Sequence, residues 1–202
     1  MASILKVDTI QDQSGNNIIN ENADTITIGA SGDTITVPTG ATMTVPNGGL
    51  SGQNYPAFEA GSTSDQTISS GVNTKVIFGG ELYDTNNCFD SSTNHRFTPT
   101  VAGKYFCYTT VRADGAASTF NYMILSFYKN GSIVPNYMPP FANRPFARFL
   151  NNPIDDFTLN ISLTVDFNGT TDYLEVFSEV ELTTGSPVLA RGCIFGGYRI
   201  GA

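Results

Sequence analysis

The sequence predicts an all-β protein, and three observations support this prediction. Only 14% of the 202 residues are charged, although helices rely on Glu, Lys and Arg for their exposed faces. Phe and Tyr, 14 and 9 in number, recur in short stretches where apolar and polar residues alternate. Asn-Gly dipeptides, which favour tight hairpin turns, follow several of these stretches. Strands joined by short turns are therefore expected along most of the chain.

Residues 1–22 predict a strand, a turn and a second strand. The first strand is indicated by four apolar residues, Ile4, Leu5, Val7 and Ile10. A polar stretch with a glycine follows, and the Ile18-Ile19 pair begins the second strand.

Residues 23–52 repeat one short β motif three times, as Thr-Ile-Thr-Ile, Thr-Ile-Thr-Val and Thr-Met-Thr-Val, with a Gly or Pro after each. Alternation puts the larger apolar residues on one face and the threonines on the other. A sheet this small is marginal unless something covers its apolar face. The cover is either the C-terminal domain of the same chain or two more copies of the segment around a shared axis. We favour the second, because it explains the regularity of the repeat. It predicts a short trimeric β shaft with a core of Ile26, Ile28, Ile35, Val37, Met43 and Val45.

Residues 53–202 predict a β-sandwich domain. Aromatic-rich strands are expected at 57–60, 75–78, 96–99, 104–112, 122–129, 157–167, 173–182 and 190–200. Eight or more antiparallel strands without a helical period are typical of a two-sheet sandwich, and the jelly roll is the arrangement predicted here.

The charge balance restricts the classes of partner. A net charge of −8 with only ten Lys and Arg argues against nucleic acid and against anionic membranes. The apolar runs are too short for membrane insertion, and the N-terminus lacks the pattern of a signal peptide. Cys88, Cys107 and Cys193 have no metal-type spacing, and we interpret them as small buried hydrophobic residues.

The sequence predicts neither a catalytic site nor a metal centre. Its one histidine, His95, has no evident partner for acid–base chemistry. Glu179 and Glu181 share one strand face, which is the only arrangement suggestive of paired carboxylates for glycan cleavage. A solvated strand face explains them more simply, so no enzyme is predicted.

The connection from Pro139 to Pro153 is unusually long for a compact domain and is a candidate contact surface. It combines three aromatic and two cationic residues: Phe141, Arg144, Phe146, Arg148 and Phe149. Such a set suits sugar stacking or protein docking. Packing of the rings against a neighbouring subunit is the alternative.

Three motifs in order carry a resemblance to a known family: Phe97-Thr-Pro with Gly103-x-Tyr105, then Lys129-Asn-Gly131, then Phe195-Gly-Gly-Tyr198. Together they resemble the globular heads of the C1q and tumour-necrosis-factor type. The resemblance implies a ten-stranded jelly roll that forms a tight homotrimer on a trimeric stalk. The resemblance also suggests a calcium site at the top of the trimer, for which Asp84, Asp90, Asp114 or Asp172 are the available ligands. It implies no other cofactor.

The opening segment together with the threonine repeat is similar to the leading segments of fibre and other structural proteins of tailed phages. This second resemblance implies a non-enzymatic virion protein, assembled in the host cytoplasm, whose N-terminal segment binds other virion proteins. Its head would then recognise a host-surface glycan or protein. Two alternatives stay open: a cement protein that decorates the capsid, and a glycan-cleaving spike.

Overall fold

The computed structural model describes residues 9–11, 13–14, 17–22, 25–28, 31–43, 56–115, 120–134, 146–148 and 155–201. The chain separates into two compact units, Met1–Ser51 and Gly52–Ala202. All regular structure in the described residues is β-strand: β1 (Thr9–Gln11), β2 (Asn17–Asn22), β3 (Thr25–Ile28), β4 (Ala57–Gly61), β5 (Gln66–Thr67), β6 (Thr74–Lys75), β7 (Gly80–Asp84), β8 (Phe89–Asp90), β9 (Arg96–Phe97), β10 (Gly103–Asp114), β11 (Phe120–Lys129), β12 (Ser132–Ile133), β13 (Phe146–Arg148), β14 (Asp156–Phe167), β15 (Leu174–Leu182), β16 (Val188–Leu189) and β17 (Ile194–Gly201).

The first unit contains a three-stranded antiparallel sheet in the order β1-β2-β3. Strands β1 and β2 form the expected opening pair, and β3 is the first of the three threonine repeats. Of the second and third repeats, the structure describes residues 34–37 and 42–43. Residues 31–43 contain turns but no strand, and they are exposed throughout. A strand needs a hydrogen-bonded neighbour, and the described residues of one chain provide none for this stretch. The trimeric shaft stays a prediction.

The second unit is a sandwich of two antiparallel sheets. The first sheet has the order β7-β4-β17-β10-β14, with the short β5 and β16 continuing it beside β10. The second sheet is centred on the pair β11 and β15; β12 and β13 lie against β11, while β6 and β9 lie against β15 and β8 follows β9.

The strand order is that of a jelly roll. Eight strands form the framework and are counted here from one to eight in chain order: β4, β6, β10, β11, β13, β14, β15 and β17. The first sheet then has the order 1-8-3-6 and the second the order 2-7-4-5. This interleaving of two Greek keys defines the jelly roll, and it confirms the predicted all-β fold class.

Aromatic rings fill the space between the sheets. Phe58 stacks on Phe89 and Phe97, with ring centroids 4.9 and 4.4 Å apart. Phe195 meets the edge of Phe58 at 4.9 Å and also contacts Phe127. All five side chains are buried. Such packed ring pairs contribute beyond their buried area, so this cluster is the centre of the core.

The three cysteines are free and buried, as the sequence predicts. Burial raises the pKa of the Cys107 thiol and of the Cys193 thiol. Burial is also the main cause of the raised pKa of Cys88, to which a hydrogen bond with the Asp84 carboxylate adds. All three thiols therefore stay protonated at neutral pH.

We expect Phe195→Ala to lower the free energy of unfolding by about 3–5 kcal/mol, because it leaves a cavity among four other rings. Urea titration followed by circular dichroism measures the change. Leu82→Ala is the control: Leu82 is 66% exposed, so its truncation should cost less than about 0.5 kcal/mol. Equal effects of the two substitutions would contradict this assignment of the core.

Candidate functional site

The outer face of the first sheet carries a cluster of three aromatic side chains, which we call the aromatic face: Phe106, Tyr108 and Tyr198. Along β10 the buried residues Tyr105, Cys107 and Thr109 alternate with half-buried residues, so Phe106 and Tyr108 point away from the core. Tyr198 on β17 lies directly opposite Phe106, with their ring centroids 5.7 Å apart. The centroids of Phe106 and Tyr108 are 6.3 Å apart.

Gly196 on the neighbouring strand leaves room for the Tyr108 ring to pack against the sheet. The β10–β17 register places Gly196 opposite Tyr108. A Cβ added to Gly196 would stand 2.4 Å from the Cζ and hydroxyl oxygen of Tyr108, closer than any real contact. A larger residue at this position would therefore lift the ring off the strand.

A carboxylate fixes the far end of the same ring. The Tyr108 hydroxyl donates a hydrogen bond to Oε2 of Glu59, and Tyr83 lies opposite Glu59 on the next strand. Desolvation raises the pKa of Tyr108, and the hydrogen bond to Glu59 and its negative charge raise it further. The aromatic face thus combines half-buried rings with one oriented, charge-assisted hydrogen bond.

The predicted acidic pair lies on the outer face of the second sheet and is held in a local network. The Tyr122 hydroxyl donates to Oε1 of Glu179 at 2.7 Å, and the Asn121 amide donates to Oε1 of Glu181 at 3.0 Å. The hydrogen bond to Glu179 is the main cause of the raised pKa of Tyr122. These hydrogen bonds hold the two carboxylates against strand β11, which gives both residues a structural role.

The other candidate chemical groups also have structural partners. His95 adopts a left-handed backbone conformation, with φ of 49°, and its Nδ1 lies 3.2 Å from the carbonyl oxygen of Phe78. Asp172 accepts hydrogen bonds from Asn130 and from the backbone of Asn168, and pairs with Lys129 at 2.8 Å. In the part of the chain that the structure describes, no group of three His, Cys, Asp or Glu side chains could hold a metal ion. The described residues also contain no helix that is long and apolar enough to cross a membrane.

The long connection proposed as a contact surface contains a strand. Backbone pairing with β11 places Phe146 opposite Ile124 and Arg148 opposite Tyr122. Phe141, Arg144 and Phe149 lie outside the described residues. Strand β13 was not predicted, because three residues are too few to show alternation. The contact role of this connection stays a prediction.

Large apolar side chains of the first unit are open to solvent in a single chain. Ile28 and Met43 are 53% and 61% exposed, and Ile35 and Val37 are exposed as well. Ile10, from the predicted attachment segment, is also exposed. The remaining predicted residues, Ile4, Leu5, Val7 and Val45, lie outside the described residues, as does the side chain of Ile26. Apolar surface of this kind is unfavourable in water unless another surface covers it.

No protein-family model matches the sequence, and no curated protein is significantly similar to it. Similar solved structures include the globular domain of zebrafish complement 1qA protein, with 17% identity over 72% of this chain and 96% of that chain and a TM-score of 0.47. Eiger TNF from S. frugiperda is 9% identical over 73% and 94%, with a TM-score of 0.48. Murine APRIL is 9% identical over 72% and 98%, with a TM-score of 0.49. These are similarities of fold.

The family motifs include Tyr198 but neither Phe106 nor Tyr108, and the sequence alone did not predict the aromatic face. The available signal was the run Tyr105-Phe-Cys-Tyr108, in which aromatic residues occupy both faces of one strand. A strand with one solvated face alternates apolar and polar residues, so aromatic residues at both kinds of position indicate that both faces are covered.

We expect Glu59→Gln to lower the pKa of Tyr108, because it removes the negative charge that opposes phenolate formation. Ultraviolet absorbance of phenolate against pH measures the shift. Tyr105, whose pKa burial raises to about 12, is the internal reference and should not move. Because the raised pKa favours the neutral phenol in the folded state, the stability it contributes is present below about pH 10 and falls as the pH rises further. An unchanged Tyr108 titration in the variant would contradict the assigned contact.

Proposed function

We propose that this chain is the subunit of a homotrimeric, non-enzymatic virion protein of the tail-fibre type, whose head recognises a host surface. The exposure of Ile28, Ile35, Val37 and Met43 is the observation that carries the proposal. A chain that folded and acted alone would have no physical reason to alternate threonine with large apolar residues that remain in water. Two further copies of the same segment supply a cover that matches in length and pattern.

On the head, the aromatic face is the surface that neighbouring subunits would cover. Phe106, Tyr108 and Tyr198 lie on the two central strands of the first sheet, and their rings are half-buried. Tyrosine and phenylalanine are enriched at the centres of protein interfaces, because they bury large area at small cost in conformational entropy. We infer that this face is the main contact between head subunits.

A trimeric head on a shaft is an arrangement that suits host-surface recognition. A head presented in three copies, on several fibres of one particle, converts weak individual contacts into strong overall attachment. Recognition then needs no deep pocket or catalytic group. The N-terminal segment, including Ile10, would bind other proteins of the virion.

We expect the purified chain to have three times its single-chain mass of 21.6 kDa in solution. Phe106→Asp should reduce the mass to that of one chain, because it would bring three carboxylates together in a desolvated interface. Sedimentation equilibrium measures the mass, and circular dichroism checks that the variant is folded.

Phe177→Asp is the matched control. Phe177 is also a half-buried aromatic residue, and it lies on the outer face of the second sheet against Tyr128. This variant should remain trimeric. If the Phe106→Asp variant is trimeric, or the Phe177→Asp variant is monomeric, the interface lies on another surface.

We expect excess purified chain to block adsorption of the parent phage to its host cells, because free trimers would occupy the receptor. Plaque counts of unadsorbed phage measure this. Gold-labelled antibody on whole particles should mark the tail; label spread over the capsid would instead indicate a cement protein. Adsorption unaffected by saturating protein would count against host recognition.

A further inference from the structure

A cavity of about 480 Å³ lies on one side of the head, beside the outermost strands of both sheets. Strand β7 of the first sheet contributes one wall, and β8, β9 and the segments beside them contribute the other. Small-molecule sites typically occupy roughly 300–1,000 Å³, so the cavity has the size of a ligand site.

Two carboxylates hold the wall of the cavity in a fixed shape. Asp84 accepts hydrogen bonds from the backbone amides of Cys88 and Phe89, at 3.0 and 2.8 Å. Asp90 accepts from the backbone amides of three successive residues, of which Thr93 is the nearest at 2.9 Å. These contacts, the one from Thr93 above all, hold the pKa of Asp90 well below its usual range. The wall is therefore formed before any ligand arrives.

A β-bulge aims Glu81 at the cavity. Glu59 pairs with Tyr83 while Ala60 pairs with Glu81, so Leu82 is an extra residue without a partner on β4. Tyr83 thus faces the aromatic side of the sheet, whereas Glu81 faces the same side as the buried Ala60. One carboxylate oxygen of Glu81 accepts a hydrogen bond from the Ser91 hydroxyl at 2.6 Å, which orients the other oxygen as an acceptor.

Arg96 contributes an oriented donor. Its guanidinium lies over the Tyr173 ring, 4.3 Å from the centroid, and this contact fixes the plane of the group. The guanidinium donates no hydrogen bond to any of the residues that the structure describes. Arg96, Thr98 and Thr100 complete the lining.

We propose that this cavity binds one neutral sugar unit of a host-surface glycan. A pyranose presents adjacent hydroxyl groups that both donate and accept hydrogen bonds; a carboxylate, a planar guanidinium and several hydroxyls around one space match that pattern. Two carboxylates, Glu81 and Asp90, against the one guanidinium disfavour an anionic sugar. The inference rests on the proposed function for the source of the glycan, but the cavity's chemistry stands on its own geometry.

Saturation-transfer NMR on the full chain tests the inference, with methyl glycosides of glucose, galactose, mannose and N-acetylglucosamine as probes and N-acetylneuraminate as the anionic comparison. At least one neutral glycoside should receive saturation from the protein. Glu81→Gln and Arg96→Gln should each weaken its affinity by about tenfold, since each removes a charged hydrogen-bonding group. Glu181→Gln is the control: it alters a hydrogen-bonded carboxylate on another face and should leave affinity unchanged.

Three results would overturn the inference: no neutral glycoside binds, only N-acetylneuraminate binds, or binding survives both cavity substitutions. Glu81 is exposed, so Glu81→Gln carries the test even where the Arg96 variant fails to fold. Adsorption measured on the same preparation separates the two proposals. If the protein blocks adsorption but binds no neutral sugar, only the cavity assignment is wrong. If it binds the sugar but does not block adsorption, only host recognition is wrong.

Discussion

The register of strand β10 is the constraint on which the head depends. All twelve of its residues pair with β14, while its other edge pairs with β17 and then with β16. Since side chains alternate along a strand, this single register commits Tyr105 and Cys107 to the core and Phe106 and Tyr108 to the outer face. A shift by one residue would exchange the two sets, which would place Lys104 and Arg112 in the core. The core and the proposed subunit contact are thus fixed by the same hydrogen bonds.

The long strands were predictable from the sequence because aromatic and β-branched residues recur along them. The two-residue strands β5 and β16 were not, since their partners lie far away along the chain: β16 forms between Gln66 and Thr67 on one side and Ala113 and Asp114 on the other. Strands β8 and β12 pair with segments nearby, but two residues are too few to show alternation. The dependence on a partner applies to the threonine repeat as well. Its pattern predicts three strands, and among the described residues the first repeat, Thr25–Ile28, pairs with β2; the shaft stays a prediction.

The candidate sites were harder to predict than the fold, because each depends on which residues meet across strands. Glu179 and Glu181 were the pair of residues in the sequence most suggestive of catalysis. In the structure Tyr122 and Asn121 on the neighbouring strand donate hydrogen bonds to them. Conversely, Glu81 has no motif around it, and only the bulge at Leu82 turns it toward the cavity. Acidic residues in this chain therefore have two separate roles. Asp84 and Asp90 shape loops by accepting backbone hydrogen bonds, while Glu59 and Glu81 retain oriented oxygens at surfaces.

The buried thiols have a consequence for durability. Oxidation of cysteine and exchange with disulfides both begin from the thiolate, and the protein interior suppresses that form at Cys88, Cys107 and Cys193. A head built in this way needs no reducing environment to keep its cysteines intact. In aerated water it would therefore resist the formation of scrambled cross-links.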